Sequence, residues 1–170
     1  MFEGTCFIKP NVPFDRKNTD TCYAPMFRRK FTLPAFQKAE LRFCALGFGH
    51  VSINGKRIDS EVFGTDESVY HKTVWYRRED VTEFLREGEN QLYILCGNGF
   101  YNEMIPTVWF FEQARWRDLP KCIAELEIDG EVVLRTDNRW KCSVDGPIVY
   151  NQIRGGEHYD ARKEGPFEEM

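Results

Sequence analysis

Two dipeptides, each placed between two runs of strand-forming residues, constrain the fold of this chain more than any other feature. They are Asn54-Gly55 within HVSINGKRI and Asp129-Gly130 within EIDGEVVLRT. Asn-Gly and Asp-Gly accept the positive φ angles of a two-residue type I′ turn, which matches the twist of paired antiparallel strands. We therefore predict one tight hairpin over residues 50–58 and a second that joins strands at about 122–128 and 131–136.

Alternating or short apolar runs, bounded by turn residues, predict further strands. MFRRKFTL stops at a proline, and AELRFCALG alternates Leu, Phe and Ala with Glu, Arg and Cys. TVWYRRED predicts a strand that ends at Asp80. The apolar run in QLYILCGNG predicts a strand buried on both faces.

Only one segment, DVTEFLREGEN, has helical signals. Asp80 and Glu83 have the spacing of a capping box and Gly88 is a stop signal, so one or two helical turns are expected. Many short strands with almost no helix require two packed sheets, because a lone sheet would leave an apolar face in water. The fold class predicted is all-β, an antiparallel β-sandwich with one short helix.

Charge and hydropathy exclude two classes of partner. The net charge is −4, so the basic surface that dominates nucleic-acid affinity is missing, and no nucleic-acid partner is expected. No apolar run approaches the roughly 20 residues needed to cross a bilayer, so no membrane partner is expected either. The six cysteines have no metal-ligand spacing, and we interpret them as small buried hydrophobic residues.

The segment at residues 100–120, FYNEMIPTVWFFEQARWRDLP, matches neither strand nor helix periodicity and is rich in aromatic residues. Aromatic residues make up 15% of the chain, a high share that asks for a use beyond filling the core. Two interpretations stay open. The segment is either a lid whose Trp109, Phe110 and Trp116 cover one end of the sandwich, or an aromatic platform for an amphipathic ligand.

A series of motifs, in order along the chain, resembles the N-terminal sugar-binding-type β-sandwich of large glycoside hydrolases. The shared elements are Asn54-Gly55-Lys56, Asp80-Val81-Thr82, Gly88 and Asn90. GNGFYNE, ARWRDLP and the closing GGEHYDAR narrow the resemblance to the N-terminal accessory domain of bacterial α-L-rhamnosidases, over about residues 24–162. The fold that this resemblance implies is a jelly-roll sandwich like that of galactose-binding domains.

The function that the resemblance implies belongs to enzymes that release terminal L-rhamnose by inversion, in a catalytic domain C-terminal to this one. The family's acidic motif, Arg-Asp-Glu-Arg-x-Gly-Trp, is absent from this sequence, so we expect a non-catalytic accessory domain that binds L-rhamnose-containing glycans. The alternative is a purely structural module that supports the catalytic domain without binding sugar. Other domains of the parent enzyme are expected partners in both cases. The compartment is left open between bacterial cytoplasm and periplasm.

Some family members use this type of domain to bind L-rhamnose together with calcium. No cofactor is required, but on this resemblance calcium is a candidate ligand of Asn98, Asn102 and Glu103, whose oxygens suit that ion. Phe100, Tyr101 and Trp109 are candidates for stacking on the sugar. The simpler alternative is that Asn98, between two glycines, is a turn residue and that the two adjacent aromatic side chains belong to the core.

The closing motif GGEHYDAR predicts an extended loop or strand edge, since its two glycines and lack of apolar period argue against a helix. Its signature residues Glu157, Tyr159, Asp160 and Arg162 are expected to have structural or interdomain roles. Asp160 and Arg162 are expected to pair with each other, with backbone groups or with the next domain.

Three parts of the chain are therefore expected. Residues 1–23 are an N-terminal extension packed on the sandwich, residues 24–162 are the sandwich itself, and residues 163–170 are an exit segment toward a downstream domain.

Overall fold

The computed structural model describes residues 2–18 and 22–165, and its regular structure is almost entirely β-strand. Within this part of the chain, 3₁₀ turns occupy Thr82–Phe84, Phe111–Gln113 and Ala161–Lys163. The strands are β1 (Met26–Leu33), β2 (Ala39–Leu46), β3 (Phe48–Ile53), β4 (Lys56–Arg57), β5 (Arg77–Asp80), β6 (Gly88–Gly97), β7 (Lys121–Ile128), β8 (Glu131–Arg135), β9 (Lys141–Ser143), β10 (Ile148–Gln152) and β11 (Gly156–Tyr159).

The strands form a five-stranded sheet in the order β4-β3-β6-β1-β9 and a four-stranded sheet in the order β5-β2-β7-β8. A separate two-stranded ribbon is formed by β10 and β11. The neighbouring strands are paired antiparallel. The predicted all-β antiparallel sandwich is confirmed, whereas the jelly-roll topology stays a prediction.

The hydrophobic core lies between the two large sheets, because each strand turns one set of alternate side chains inward. In β2, Leu41 and Phe43 point into the core, and in β6, Leu92 and Ile94 do the same. Burial of such side chains stabilises the fold by about 1.5–3 kcal/mol each. The sandwich is therefore the arrangement in which both apolar faces leave water.

Both predicted hairpins are present where the dipeptides lie. Asn54 and Gly55 have φ angles of 52° and 82°, and Asp129 and Gly130 have φ angles of 49° and 91°. These positive values are the ones that a type I′ turn requires at both central positions. The first hairpin joins β3 to β4, and the second joins β7 to β8.

Two local predictions need correction. The predicted helix of one or two turns is present as one 3₁₀ turn, but it has no capping box. The Asp80 carboxylate accepts instead from the backbone nitrogen (3.0 Å) and hydroxyl (2.6 Å) of Thr82. The strand β6, predicted to be buried on both faces, is fully buried only on its core face. On its outer face Tyr93 and Leu95 are half-buried.

The N-terminal segment extends the four-stranded sheet beyond the end of β8. Ile8 exchanges two backbone hydrogen bonds with Cys122 of β7, of 2.8 and 3.1 Å. The Thr136 hydroxyl donates to the backbone oxygen of Cys6 (2.7 Å), and Lys9 pairs with Asp118 (2.8 Å). Residues 5–9 are therefore held against the sandwich along β7.

None of the six cysteines, all of which lie within the described residues, forms a disulfide, and they are not uniformly buried. Four of them are buried, whereas Cys6 and Cys142 are exposed because they lie in the N-terminal segment and in the edge strand β9. Burial raises the pKa of Cys44 to about 12, which keeps this thiol protonated and unreactive. Among the described residues, no helix is long and apolar enough to cross a membrane.

Candidate functional site

Three of the predicted site residues, Asn98, Asn102 and Glu103, lie together in the loop that follows β6, and each is 0% exposed. The side-chain amide of Asn98 donates to the backbone oxygens of Tyr23 (3.0 Å) and Asn151 (3.1 Å). Its side-chain oxygen accepts from the amide of Asn102 (2.7 Å). An unpaired buried amide would cost about 1–3 kcal/mol, so these bonds tie the loop to the start of β1 and to β10.

Two residues that the sequence analysis did not single out, Arg117 and Gln152, belong to the same buried polar cluster. Arg117 donates to the side-chain oxygen of Asn102 from Nε (3.3 Å) and Nη2 (3.2 Å). Gln152 donates to the backbone oxygen of Asn102 (3.0 Å) and accepts from the backbone nitrogen of Met104 (2.7 Å). The signal for Gln152 was the pair of amides that ends the otherwise apolar run IVYNQ. For Arg117, the signal was its place in ARWRDLP, one of the motifs that narrow the family resemblance.

Glu103 is the acidic member of the polar cluster. Its Oε1 accepts from the backbone nitrogen of Ile105 (2.9 Å), and its Oε2 is buried without a hydrogen-bond partner. Burial raises the pKa of Glu103, and the bond from Ile105 and the charges of Arg154 and Arg117 offset only part of this effect. The raised pKa favours the neutral acid, which costs less to bury than a carboxylate does.

In this arrangement, Asn98, Asn102 and Glu103 do not fit a calcium ion. Both amide oxygens already accept hydrogen bonds, and the positive guanidinium of Arg117 lies against the oxygen of Asn102. In residues 2–18 and 22–165, no three His, Cys, Asp or Glu side chains cluster as a metal site would require. Calcium binding by these residues therefore stays a prediction without geometric support.

The predicted stacking residues do not form one platform, although the rings of Phe100 and Trp109 both lie near Phe111, the latter at 6.4 Å. Tyr101 is buried and packs edge-on against Tyr70, with ring centroids 5.0 Å apart. Phe100 is half-buried and lies 5.5 Å from the ring of Phe111. Tyr101 is thus buried, as the simpler alternative expected, whereas Phe100 is only half-buried and Trp109 lies at the surface.

Three consecutive side chains, Val108, Trp109 and Phe110, form an exposed apolar segment. Their exposed fractions are 79%, 59% and 61%. The guanidinium carbon of Arg154 lies 4.6 Å from the centroid of the Trp109 ring, which is a cation–π contact. Of the three aromatic residues in the proposed lid, Trp116 is half-buried and stacks on the exposed ring of His71 at 5.2 Å.

The closing motif forms β11 and the turn that follows it. Arg162 donates to both carboxylate oxygens of Asp160 at 2.8 Å, and these hydrogen bonds lower the pKa of Asp160 to about 2. The Tyr159 hydroxyl donates to Glu164 (2.7 Å). Glu157 is exposed in β11 and is not part of the buried polar cluster.

The predicted site residues therefore do not form one site. Asn98, Asn102 and Glu103 are enclosed and already paired with protein groups, whereas Trp109 and the closing motif are exposed. A sugar-binding role for any of them stays a prediction.

Comparison with known proteins agrees with the motif series. The model of the α-L-rhamnosidase N-terminal domain family matches residues 35–169. An α-L-rhamnosidase of Formosa agariphila is 37% identical over 150 residues, which are 83% of this chain and 15% of that protein. One of Streptomyces avermitilis is 31% identical over 157 residues, 89% of this chain and 15% of that protein. The chain thus spans about 15% of the length of these relatives.

Solved structures show the same relationship in three dimensions. The α-L-rhamnosidase of Aspergillus terreus superposes with a TM-score of 0.82 at 27% identity, over 96% of this chain and 19% of that chain. The enzyme of Streptomyces avermitilis, solved with L-rhamnose, superposes with a TM-score of 0.73 at 32% identity, over 84% of this chain and 14% of that chain. By its matched motifs, its fold and its identity to these enzymes, this chain belongs to the family of α-L-rhamnosidase N-terminal domains.

Proposed function

We propose that this chain is a non-catalytic accessory domain of an α-L-rhamnosidase, and that its exposed apolar segment contacts another domain of the same enzyme. The observation that carries the proposal is the contrast in the loop after β6. The polar side chains expected to bind sugar are enclosed, whereas Val108, Trp109 and Phe110 are exposed. An interdomain face is expected to leave such an apolar patch when its partner is absent.

The exposed apolar segment is held in a defined shape. Phe110 has a φ of 55°, a left-handed conformation that is uncommon and costly for a residue with a bulky side chain. Its backbone nitrogen donates to the backbone oxygen of Thr107 (3.1 Å), and the backbone nitrogen of Trp109 donates to the Thr107 hydroxyl (3.3 Å). A preformed projection binds with less loss of conformational entropy, which favours a docking role.

The environment of Glu103 supports a non-catalytic role. A general acid in glycoside hydrolysis needs a raised pKa and must also reach the glycosidic oxygen. Glu103 has the raised pKa, but its side chain is 0% exposed and cannot reach a bound glycoside. Its perturbed pKa is therefore best explained by burial within the polar cluster.

L-Rhamnose binding is the second candidate function, and the contact between Trp109 and Arg154 favours it. A tryptophan ring beside a guanidinium offers an apolar face and hydrogen-bond donors together, which suits a sugar. In this alternative, Trp109 contacts the sugar in place of a neighbouring domain.

A comparison of Trp109→Ser with Trp75→Ser tests the contact proposal, because Trp75 is also exposed (61%) but lies outside the segment. We expect Trp109→Ser to lower the unfolding temperature in the full rhamnosidase that carries this domain and to leave that of the 170-residue chain nearly unchanged. Trp75→Ser should have little effect in both. Equal losses from Trp109→Ser in the enzyme and in the chain would show that the segment packs within its own domain.

Titration of the 170-residue chain with L-rhamnose, with and without calcium, separates the second candidate from the first. Saturable binding that Trp109→Ser abolishes would favour the sugar-binding function. A flat response at millimolar sugar would remove it and leave the contact proposal standing.

A further inference from the structure

A second surface feature borders the buried polar cluster, because Gln152 belongs to both. It is an apolar cleft of about 350 Å³ between the outer face of the five-stranded sheet, the loop at residues 61–65 and the β10–β11 ribbon. Ligand sites in proteins typically have volumes of about 300–1,000 Å³ and mostly apolar walls. The residues that line this cleft include Phe48, Phe63, Leu95, Ile148, Asn151 and Glu157.

The loop wall of the cleft is fastened to the sheet. The backbone nitrogen of Gly49 donates to the backbone oxygen of Phe63 (3.2 Å), and the Thr65 hydroxyl donates to the backbone oxygen of Gly47 (2.9 Å). Gly64 lies so close to the sheet that a Cβ there would overlap the Gly49 carbonyl oxygen. This wall is therefore preformed, which reduces the cost of binding.

The ribbon wall is fastened as well. The side-chain oxygen of Asn151 in β10 accepts from the backbone nitrogen of Asn98 (2.7 Å), which connects the ribbon to the end of β6. The backbone nitrogen of Asp160 donates to the backbone oxygen of Pro147 (2.8 Å) and closes the base of the ribbon. Both sides of the cleft are thus held at fixed positions.

The chemistry of the lining favours a flat apolar ligand. Phe63 stacks on Phe48 with ring centroids 4.5 Å apart and an interplanar angle of 15°, yet Phe63 is still 53% exposed. Leu95 and Ile148 line the cleft as half-buried apolar side chains. A ring that enters the cleft can stack on Phe63 while it covers apolar surface that is now partly in water.

The polar side chains that line the cleft limit how many polar groups a ligand can carry. The amides of Asn151 and Gln152 are already bonded within the protein, so a polyhydroxylated sugar would find few partners here. Glu157 is exposed at the rim, and a carboxylate accepts strongly from a hydroxyl donor. The lining therefore matches a ring with one or a few hydroxyl groups better than it matches a monosaccharide.

We propose that this cleft binds a small hydroxylated aromatic molecule, stacked on Phe63 with a hydroxyl group donated to Glu157. A dry cavity of about 150 Å³ holds benzene, so about 350 Å³ has room for two fused rings. The cleft has no residue in common with the exposed apolar segment. The two proposals can therefore fail independently.

Naphthol and its methyl ether are suitable probes, since only naphthol has a hydroxyl hydrogen to donate to Glu157. We expect millimolar or tighter binding of naphthol to the 170-residue chain, with amide chemical-shift changes at residues 62–63, 95–97 and 156–157. Phe63→Ala should weaken binding by about three- to tenfold through loss of the stacked ring. Val133→Ala, at another exposed apolar position, is the matched control and should change the Kd by less than about twofold.

The hydroxyl contact is tested separately. Glu157→Gln should weaken naphthol binding by about tenfold and leave binding of the methyl ether unchanged, whereas Glu131→Gln, at an exposed acid of β8, should change neither. The proposal is overturned if naphthol does not bind at millimolar concentration or if its shift changes map to Trp109. It is also overturned if L-rhamnose binds the cleft at least as tightly as naphthol, or if apparent binding follows from self-association of the chain.

Discussion

The outer faces of the two large sheets differ, although both inner faces are apolar. On the four-stranded sheet the outward positions of β2 and β7 carry charges, and Arg42 pairs with Glu125 (3.1 Å) and with Glu127. On the five-stranded sheet, Phe48 and Leu95 point outward and form part of the apolar cleft. The difference shows that the inward residues specify the sandwich, while the outward residues specify what each face can contact.

The charged side chains on the outer face of the four-stranded sheet, here called the charged face, find their partners within the domain. Glu125 is only 2% exposed and contacts Arg42, the Thr5 hydroxyl and, at 3.8 Å, Arg135. The apolar region around Phe48 and Leu95 on the outer face of the five-stranded sheet, in contrast, is covered only in part by the ribbon and retains a cleft. An outer face that is satisfied by its own ion pairs has no need of a partner, whereas a partly covered apolar face gains free energy when a ligand or a domain fills it.

The largest expected effect comes from breaking the charged face at its buried end. Arg42→Ala leaves the enclosed Glu125 without its main partner, and we expect a loss of about 3 kcal/mol in the free energy of unfolding, measured by urea denaturation. Arg78→Ala is the control, since Arg78 is 61% exposed and pairs with Glu40 at the surface. A loss from Arg42→Ala that is as small as the loss from Arg78→Ala would mean that solvent screens the whole face and that Glu125 needs no partner.

A smaller loss of stability is expected when the loop wall of the cleft is disturbed. Gly64 has a φ of 72° and lies against the Gly49 carbonyl, so Gly64→Ala adds backbone strain and an overlap. We expect a loss of about 2 kcal/mol, together with weaker naphthol binding. Gly55→Ala, at a φ of 82° with open space around it, should cost about 1 kcal/mol and leave binding intact. Unchanged naphthol affinity in Gly64→Ala would show that this wall does not shape the cleft.

The smallest effect is expected at the exposed ion pair beside the ribbon. The hydrogen bonds from Arg162 lower the pKa of Asp160 to about 2. The pair therefore stabilises the fold above the ordinary aspartate pKa, and this contribution is lost as the pH falls toward 2. Asp160→Asn should slightly weaken the dependence of the unfolding temperature on pH over this acidic range. Added salt should reduce the difference between the variant and the original chain. A loss of stability that persists at high salt would instead indicate a role in holding the ribbon.

The strands and hairpins were predictable because their signals are local. Asn54-Gly55 and Asp129-Gly130 take the positive φ angles that their turns require, whatever lies around them. The predicted short helix is present as one 3₁₀ turn, but its predicted capping box is not, because the capping-box spacing is a weak signal. Asp80 accepts from Thr82, a nearer partner in sequence than Glu83.

The candidate site was less predictable because it depends on contacts between distant segments. Asn98 was recognised as a residue that matters, but its partners lie at Tyr23 and Asn151, which are 75 and 53 residues away. The apolar outer face of β6 did carry a signal, since the run QLYILCG was interpreted as buried on both faces. What lies over that outer face is a ribbon some 50 residues further along the chain, together with a cleft.

By itself the sequence determined the all-β class, the positions of both type I′ hairpins and the membership of a rhamnosidase domain family. These properties rest on backbone preferences of neighbouring residues and on the order of motifs. Only the tertiary structure decided that Asn98, Asn102 and Glu103 are enclosed, that Trp109 is exposed and that a cleft lies beneath the ribbon. Exposure and pairing are set by which distant strands pack together, and in a sandwich most of those contacts join residues far apart in the chain.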